Sequence, residues 1–82
     1  MIRLAVSKAG HDKNHTYVVI GENEDAYLLA DGNTKTIKRP KTKKKMHVQL
    51  IKKVPEDVLL ILEDKSLTDE VIARGLAIYN KR

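Results

Sequence analysis

Apolar and polar residues change their rhythm twice along this chain, and each change marks a different kind of element. Ile2, Leu4 and Val6 alternate with Arg3 and Ala5, a period of two that predicts a half-buried first strand. Residues 9–15, A-G-H-D-K-N-H, supply Gly10, Asp12 and Asn14, residue types that tolerate positive φ or bond their own backbone, so a loop is expected there. The β-branched and aromatic run at 16–20, T-Y-V-V-I, predicts a second strand, ended by a polar connection over 21–25. A third strand is expected over 26–30. Asp31-Gly32-Asn33 follows directly, and an Asp-Gly pair flanked by strand-like residues predicts a tight hairpin in which 34–37 returns along 27–30. Pro40 cannot donate to a ladder, so that strand should fray into a loop, leaving 46–51, M-H-V-Q-L-I, as the last strand. Five short strands in so few residues suggest a small twisted barrel, since closure protects sheet edges.

The second change comes at Pro55. Pro55 with Glu56 and Asp57 behind it suits a helix start, where a missing N–H costs nothing and carboxylates meet the positive end of the dipole; Val58, Leu59 and Leu62 form its apolar stripe. A buried strand through 58–62 is the competing reading of so short an apolar run, and the helix is favoured. A further helix has Thr68 as its N-cap, Asp69 and Glu70 in its first turn, and Leu67 placed to staple against Ile72. Val71, Ile72, Gly75, Leu76 and Tyr79 share one face. The expected organisation is a β barrel over 1–54 and a helical hairpin over 55–82 packed on it.

Eighty-two residues make one domain at most, and a chain of that size hides only about 60–65% of the surface its unfolded form exposes. An enzyme cleft would consume much of that core. Without cysteine there is no disulfide framework, thiolate nucleophile or cysteine zinc site, which fits a reducing compartment. No apolar leader stands at the N-terminus, and no apolar run approaches the roughly 18–20 residues that span a bilayer, so a soluble cytoplasmic protein is expected. No cofactor or small-molecule substrate is implied.

Charge changes the picture more. Residues 1–54 hold twelve Lys or Arg against five Asp or Glu, and 55–82 hold four against six; +7 and −2 give the net +5. Seven of the eleven residues at 35–45, K-T-I-K-R-P-K-T-K-K-K, are basic and none is acidic. Such density is either a solvated loop or a phosphate-contacting arm, and its self-repulsion favours the arm: Lys35, Lys38, Arg39, Lys41, Lys43, Lys44 and Lys45. Only Ile37 in the run is aliphatic, which argues against membrane attachment. The loop 8–15 is a second candidate, with Lys8, His11, Lys13 and His15 around backbone amides that suit phosphate oxygens; turn geometry alone also explains Gly10 and Asn14. His47 stands near the start of the last strand, either as a nucleic-acid contact or as a cap on the sheet edge.

Other chemistry has less support. His11 and His15 have helical chelate spacing, but Gly10 and Asn14 break a helix and no carboxylate or thiolate completes a ligand set, so no metal is expected. Ser7 and Ser66 have no placed base, and the acids fall at turns and helix starts, so the chain is not expected to be an enzyme. Tyr17 and Tyr27 lie on strands, where core packing outweighs base stacking; so few rings point to nucleic acid read by backbone and shape.

Certain stretches carry a family resemblance: V-S-K-A-G-H-D-K-N-H-T-Y-V-V-I, A-Y-L-L-A-D-G-N-T-K-T-I-K-R-P-K, and K-K-M-H-V-Q-L. Together they resemble a KOW domain, most of all the short bacterial KOW-containing RNA-binding proteins, themselves similar to KOW-bearing large-subunit ribosomal proteins of archaea and eukaryotes. The resemblance covers roughly 3–51 and rests on Ser7 to Gly10 with Asp12, the Ala30-Asp31-Gly32 turn, Arg39-Pro40-Lys41 and Lys45-Met46-His47. It implies an SH3-like five-stranded barrel and RNA binding in a ribosomal setting, with ribosomal RNA as partner. The chain departs from the family at His11, where arginine is frequent, and at Asn14, where glycine is usual. Asn tolerates the left-handed conformation, but losing a guanidinium at 11 removes a bidentate phosphate contact. The runner-up is an adaptor binding ribosomal or transcription-machinery proteins, as KOW domains of NusG-type elongation factors do, with the acidic tail as the contact.

Overall fold

The computed structural model describes residues 2–64 and 66–81. Five strands form one antiparallel sheet: β1 (Arg3–Ser7), β2 (Thr16–Glu22), β3 (Ala26–Ala30), β4 (Lys41–Lys44) and β5 (Val48–Leu50), in the spatial order β4-β3-β2-β1-β5. The sheet curls into a half-barrel whose two edges are β4 and β5. Helices α1 (Glu56–Glu63) and α2 (Asp69–Asn80) follow. Among the described residues no helix is long and apolar enough to cross a membrane.

Strand alternation divides the apolar residues between two cores. Leu4, Val18 and Ala30 point to one face and pack with Val58 and Leu62 of α1 and Ile72 and Leu76 of α2. Ala5, Tyr17, Val19, Tyr27 and Leu29 point to the other and meet Val48 and Leu50 inside the curl. Because successive strand side chains face opposite sides, a single strand such as Tyr17-Val18-Val19 feeds both cores. The helices form as their signals predict. Pro55 opens α1, Thr68 Oγ1 accepts the Val71 N–H at 3.2 Å, and Leu67 joins the cluster that holds Ile72. Asn14 adopts φ 74°, the left-handed conformation its residue type tolerates.

β2 runs on through Gly21 and Glu22, where a connection was expected, and three further expectations fail around the basic run. Residues 34–37 are not a strand: β3 pairs instead with β4, from Leu29↔Lys41 to Ala26↔Lys44, so the tight hairpin at Asp31-Gly32 is a loop over 31–40. The cause is the Asp31 side chain, which captures donors a ladder would use. Its Oδ1 accepts the N–H groups of Asn33 and Lys35 at 2.8 and 2.9 Å, and its Oδ2 accepts the Thr34 hydroxyl at 2.9 Å. Pro40 precedes a strand rather than ending one, as a missing donor allows at a strand's first residue. Consequently the basic run is not a solvated loop throughout, since Lys41–Lys44 is an edge strand. The last strand is also shorter than 46–51, because Lys45–His47 forms a 3-10 turn before β5.

The loop 31–40 is pressed onto the helices. A Cβ on Gly32, which has φ +81°, would lie 2.2 Å from the backbone oxygen of Asp69, and the Ile37 N–H donates to Asp69 Oδ1 at 2.9 Å. Gly32→Ala therefore combines left-handed strain with a backbone clash. It should lower stability by at least about 2 kcal/mol, read as a fall in the urea midpoint at unchanged m-value.

Candidate functional site

Two carboxylates organise the basic residues. The first, Asp12, sits in the loop between β1 and β2, which Gly10 and Asn14 turn with positive φ and which closes through Asn14 N–H to Ser7 O at 2.8 Å. Asp12 Oδ1 accepts from the Ser7 hydroxyl and from Lys43 Nζ, each at 2.9 Å, and Oδ2 accepts from the Tyr17 hydroxyl at 2.7 Å. Lys43 Nζ also donates to Ala9 O at 2.8 Å, and Lys41 Nζ stands 3.9 Å from Asp12 Oδ2. Lys41 and Lys43 are alternate residues of β4, opposite Leu29 and Tyr27, so both reach over the inner face toward the loop.

These contacts set the ionisation. Desolvation pushes the Asp12 carboxyl up, but hydrogen bonds from Tyr17, Lys43 and Ser7 and the charge of Lys41 outweigh it and hold the group well below the usual carboxylate range. Burial, the bond to Asp12 and the charges of Asp12 and Asp31 raise the Tyr17 phenol, which stays a donor. The second carboxylate, Glu22 at the end of β2, binds Arg3 Nη2 at 2.8 Å and Lys45 Nζ at 2.6 Å. Those hydrogen bonds lower its pKa. Both cations also lie over the Tyr27 ring, 5.6 Å and 5.1 Å from its centroid.

The sequence-derived candidates thus fall into distinct groups. Lys43, its side chain only 11% exposed, and Lys45 are held by carboxylates, and Lys41 is partly so. Lys8, His11 and Lys13 are exposed on the loop beside the Asp12 cluster, and Lys44 is exposed on β4. Lys38 and Arg39 are exposed on the loop 31–40, where the Arg39 N–H is tied back to Thr36. Lys35 is half-buried, and its carbonyl accepts the N–H groups of Asp31 and Gly32. His47 is half-buried and its carbonyl accepts the Lys8 N–H at 2.8 Å, joining the loop after β1 to the turn before β5. The arm is therefore two surfaces, β4 beside the loop 8–15, and the loop 31–40 beside α2.

His15 does not meet His11 as a chelating pair; its Nε2 lies 2.9 Å from Asp31 Oδ2. Burial raises the Asp31 carboxyl, and hydrogen bonds from Lys35, Asn33, Thr34 and His15 prevail and lower it. Tyr17 and Tyr27, 2% and 9% exposed, are core residues, so neither strand ring is free to stack on a base. Sequence reasoning missed Glu22 and Arg3 as members of the basic cluster and treated Asp12 as a turn residue. The usable signal was position: Asp12 is the only acid within the basic stretch from Lys8 to Lys13.

A scan of the chain against protein-family models returns no match, and a search of curated proteins returns none.

Because the Asp12 carboxyl is depressed in the folded state, its stabilisation is present above the unfolded-state value of about 3.9 and is lost as pH falls below it. Asp12→Asn leaves the Lys43 ammonium without its counter-charge. It should cost about 1–3 kcal/mol at pH 7, and the gap to the wild type should narrow below about pH 4 in urea titrations.

Proposed function

We propose that the protein is a non-enzymatic RNA-binding module of the KOW type, with an SH3-like half-barrel, that grips the phosphate backbone of ribosomal RNA and works in association with the ribosome. The observation that carries this reading is the convergence of two basic segments, 8–15 and 41–45, joined by Lys43 Nζ to Ala9 O at 2.8 Å and by Asp12. Cations distant in sequence then stand on one rigid edge, which reduces the ordering cost of engaging a polyanion. Lys8, Lys13 and Lys44 offer free charge at this edge with the exposed His11 beside them, Lys38 and Arg39 stand on the separate loop 31–40, and Asp12 and Glu22 hold Lys43, Lys41 and Lys45 in position. Burial of Tyr17 and Tyr27 supports recognition by backbone and shape over stacking of splayed bases.

With five or so phosphates neutralised, log K for RNA should fall with log salt at a slope of about −3.5 to −4.5. Recovery of the protein with ribosomes from lysate should be lost on nuclease treatment. A slope near zero, or nuclease-resistant recovery with a protein partner, contradicts the reading; the second outcome supports an adaptor that docks through its acidic helices.

A further inference from the structure

The geometry points to a second phosphate-contact surface, made by Lys52, Lys53 and the free donors of Arg3, at the end of β1 opposite the loop 8–15. It rests on the RNA-binding reading and extends it from one backbone contact to two.

The surface is assembled by strand register. β1 and β5 pair from Ser7↔Val48 to Ala5↔Leu50, and the ladder continues with Ile51 N–H donating to Leu4 O at 2.9 Å. Beyond it the chain bends at Lys52, which shares a recess with Arg3. Ile2, Ile51, Lys53 and Leu59 also line that recess.

Charge identifies the ligand. Glu22 is divided between Arg3 and Lys45, and Glu63, whose Oε2 accepts the Ile2 N–H at 3.4 Å, is an acid at the border. Arg3, Lys52 and Lys53 against these two carboxylates leave a positive excess. Among the described residues Lys52 and Lys53 make no ion pair or side-chain hydrogen bond, and both are exposed, in contrast to the clamped Lys43. Arg3 uses one of its donors on Glu22 and keeps others in a fork that fits phosphate oxygens. Neighbouring like charges without a partner are relieved by a phosphodiester.

Separation identifies the class of RNA. From Arg3 to Ser7 β1 rises about 13 Å, which sets Lys52 and Lys53 beside one end of the strand and the loop of Lys8 and Lys13 at the other. A ligand meeting both presents two backbone segments at once, as a folded RNA does.

The test is fluorescence anisotropy with a fluorescein-labelled RNA stem–loop over a salt series, comparing wild type, Lys52→Gln/Lys53→Gln, Lys8→Gln/Lys13→Gln and Lys81→Gln, each with its thermal melt. The Lys52/Lys53 variant should melt as the wild type does. It should bind roughly tenfold or more weakly at about 0.1 M salt, with a salt slope shallower by about 1–2, while Lys81→Gln is unchanged. Wild-type binding by Lys52→Gln/Lys53→Gln, with binding weakened in Lys8→Gln/Lys13→Gln, overturns the second surface and leaves the first. A wild-type protein that does not bind the stem–loop overturns both.

Discussion

The Asp12 carboxylate is the point on which the basic side of this protein is built. It receives the hydroxyl of Ser7 from β1, the hydroxyl of Tyr17 from β2 and the ammonium of Lys43 from β4, so one side chain fixes three strands and the loop that carries it. Taking a carboxylate out of water is costly, and the site answers that cost with three charge-assisted hydrogen bonds, each stronger than a neutral one. The arrangement also explains β4. A segment reading K-T-K-K has almost no apolar surface to hold it on a sheet, yet it stays, because Tyr27 and Leu29 give it a ladder and Asp12 gives two of its lysines a counter-charge.

A second carboxylate does comparable work at the far end of the loop 31–40. Asp31 gathers backbone and hydroxyl donors from 33–35, and Asp69 on the first turn of α2 takes the Ile37 N–H. This gives the helical tail two physical tasks. It covers the outer core of the sheet through Val58, Leu62, Ile72 and Leu76, and it braces the loop that displays Lys38 and Arg39. Of its acids, Asp69 meets the arm through the Ile37 N–H, and Glu70 pairs with Arg74 within α2.

What could be read from the sequence follows the range of the interaction. Asn14 in the left-handed region and Thr68 as a cap were legible because their causes lie within three or four residues. The three opening strands were legible because alternation is local. The Asp31-Gly32 hairpin was misread because the same dipeptide serves a tight turn or a side-chain-capped loop; Asp31 caps the loop here, and α2, far along the chain, packs against it. β4 was hidden by its lysines, whose weak strand preference is overridden by pairing. The pairing of Lys43 with Asp12 spans 31 positions and that of Lys45 with Glu22 spans 23, so no local pattern announces either.

In the functional account clamped cations act as scaffold and free ones as contacts, and the division rests on Asp12 and Lys43 being coupled in the folded state. A double-mutant cycle with Asp12→Asn and Lys43→Met, read by urea unfolding at pH 7, measures that coupling directly. The account predicts a coupling energy of about 1–3 kcal/mol; additive effects of the two substitutions would contradict it.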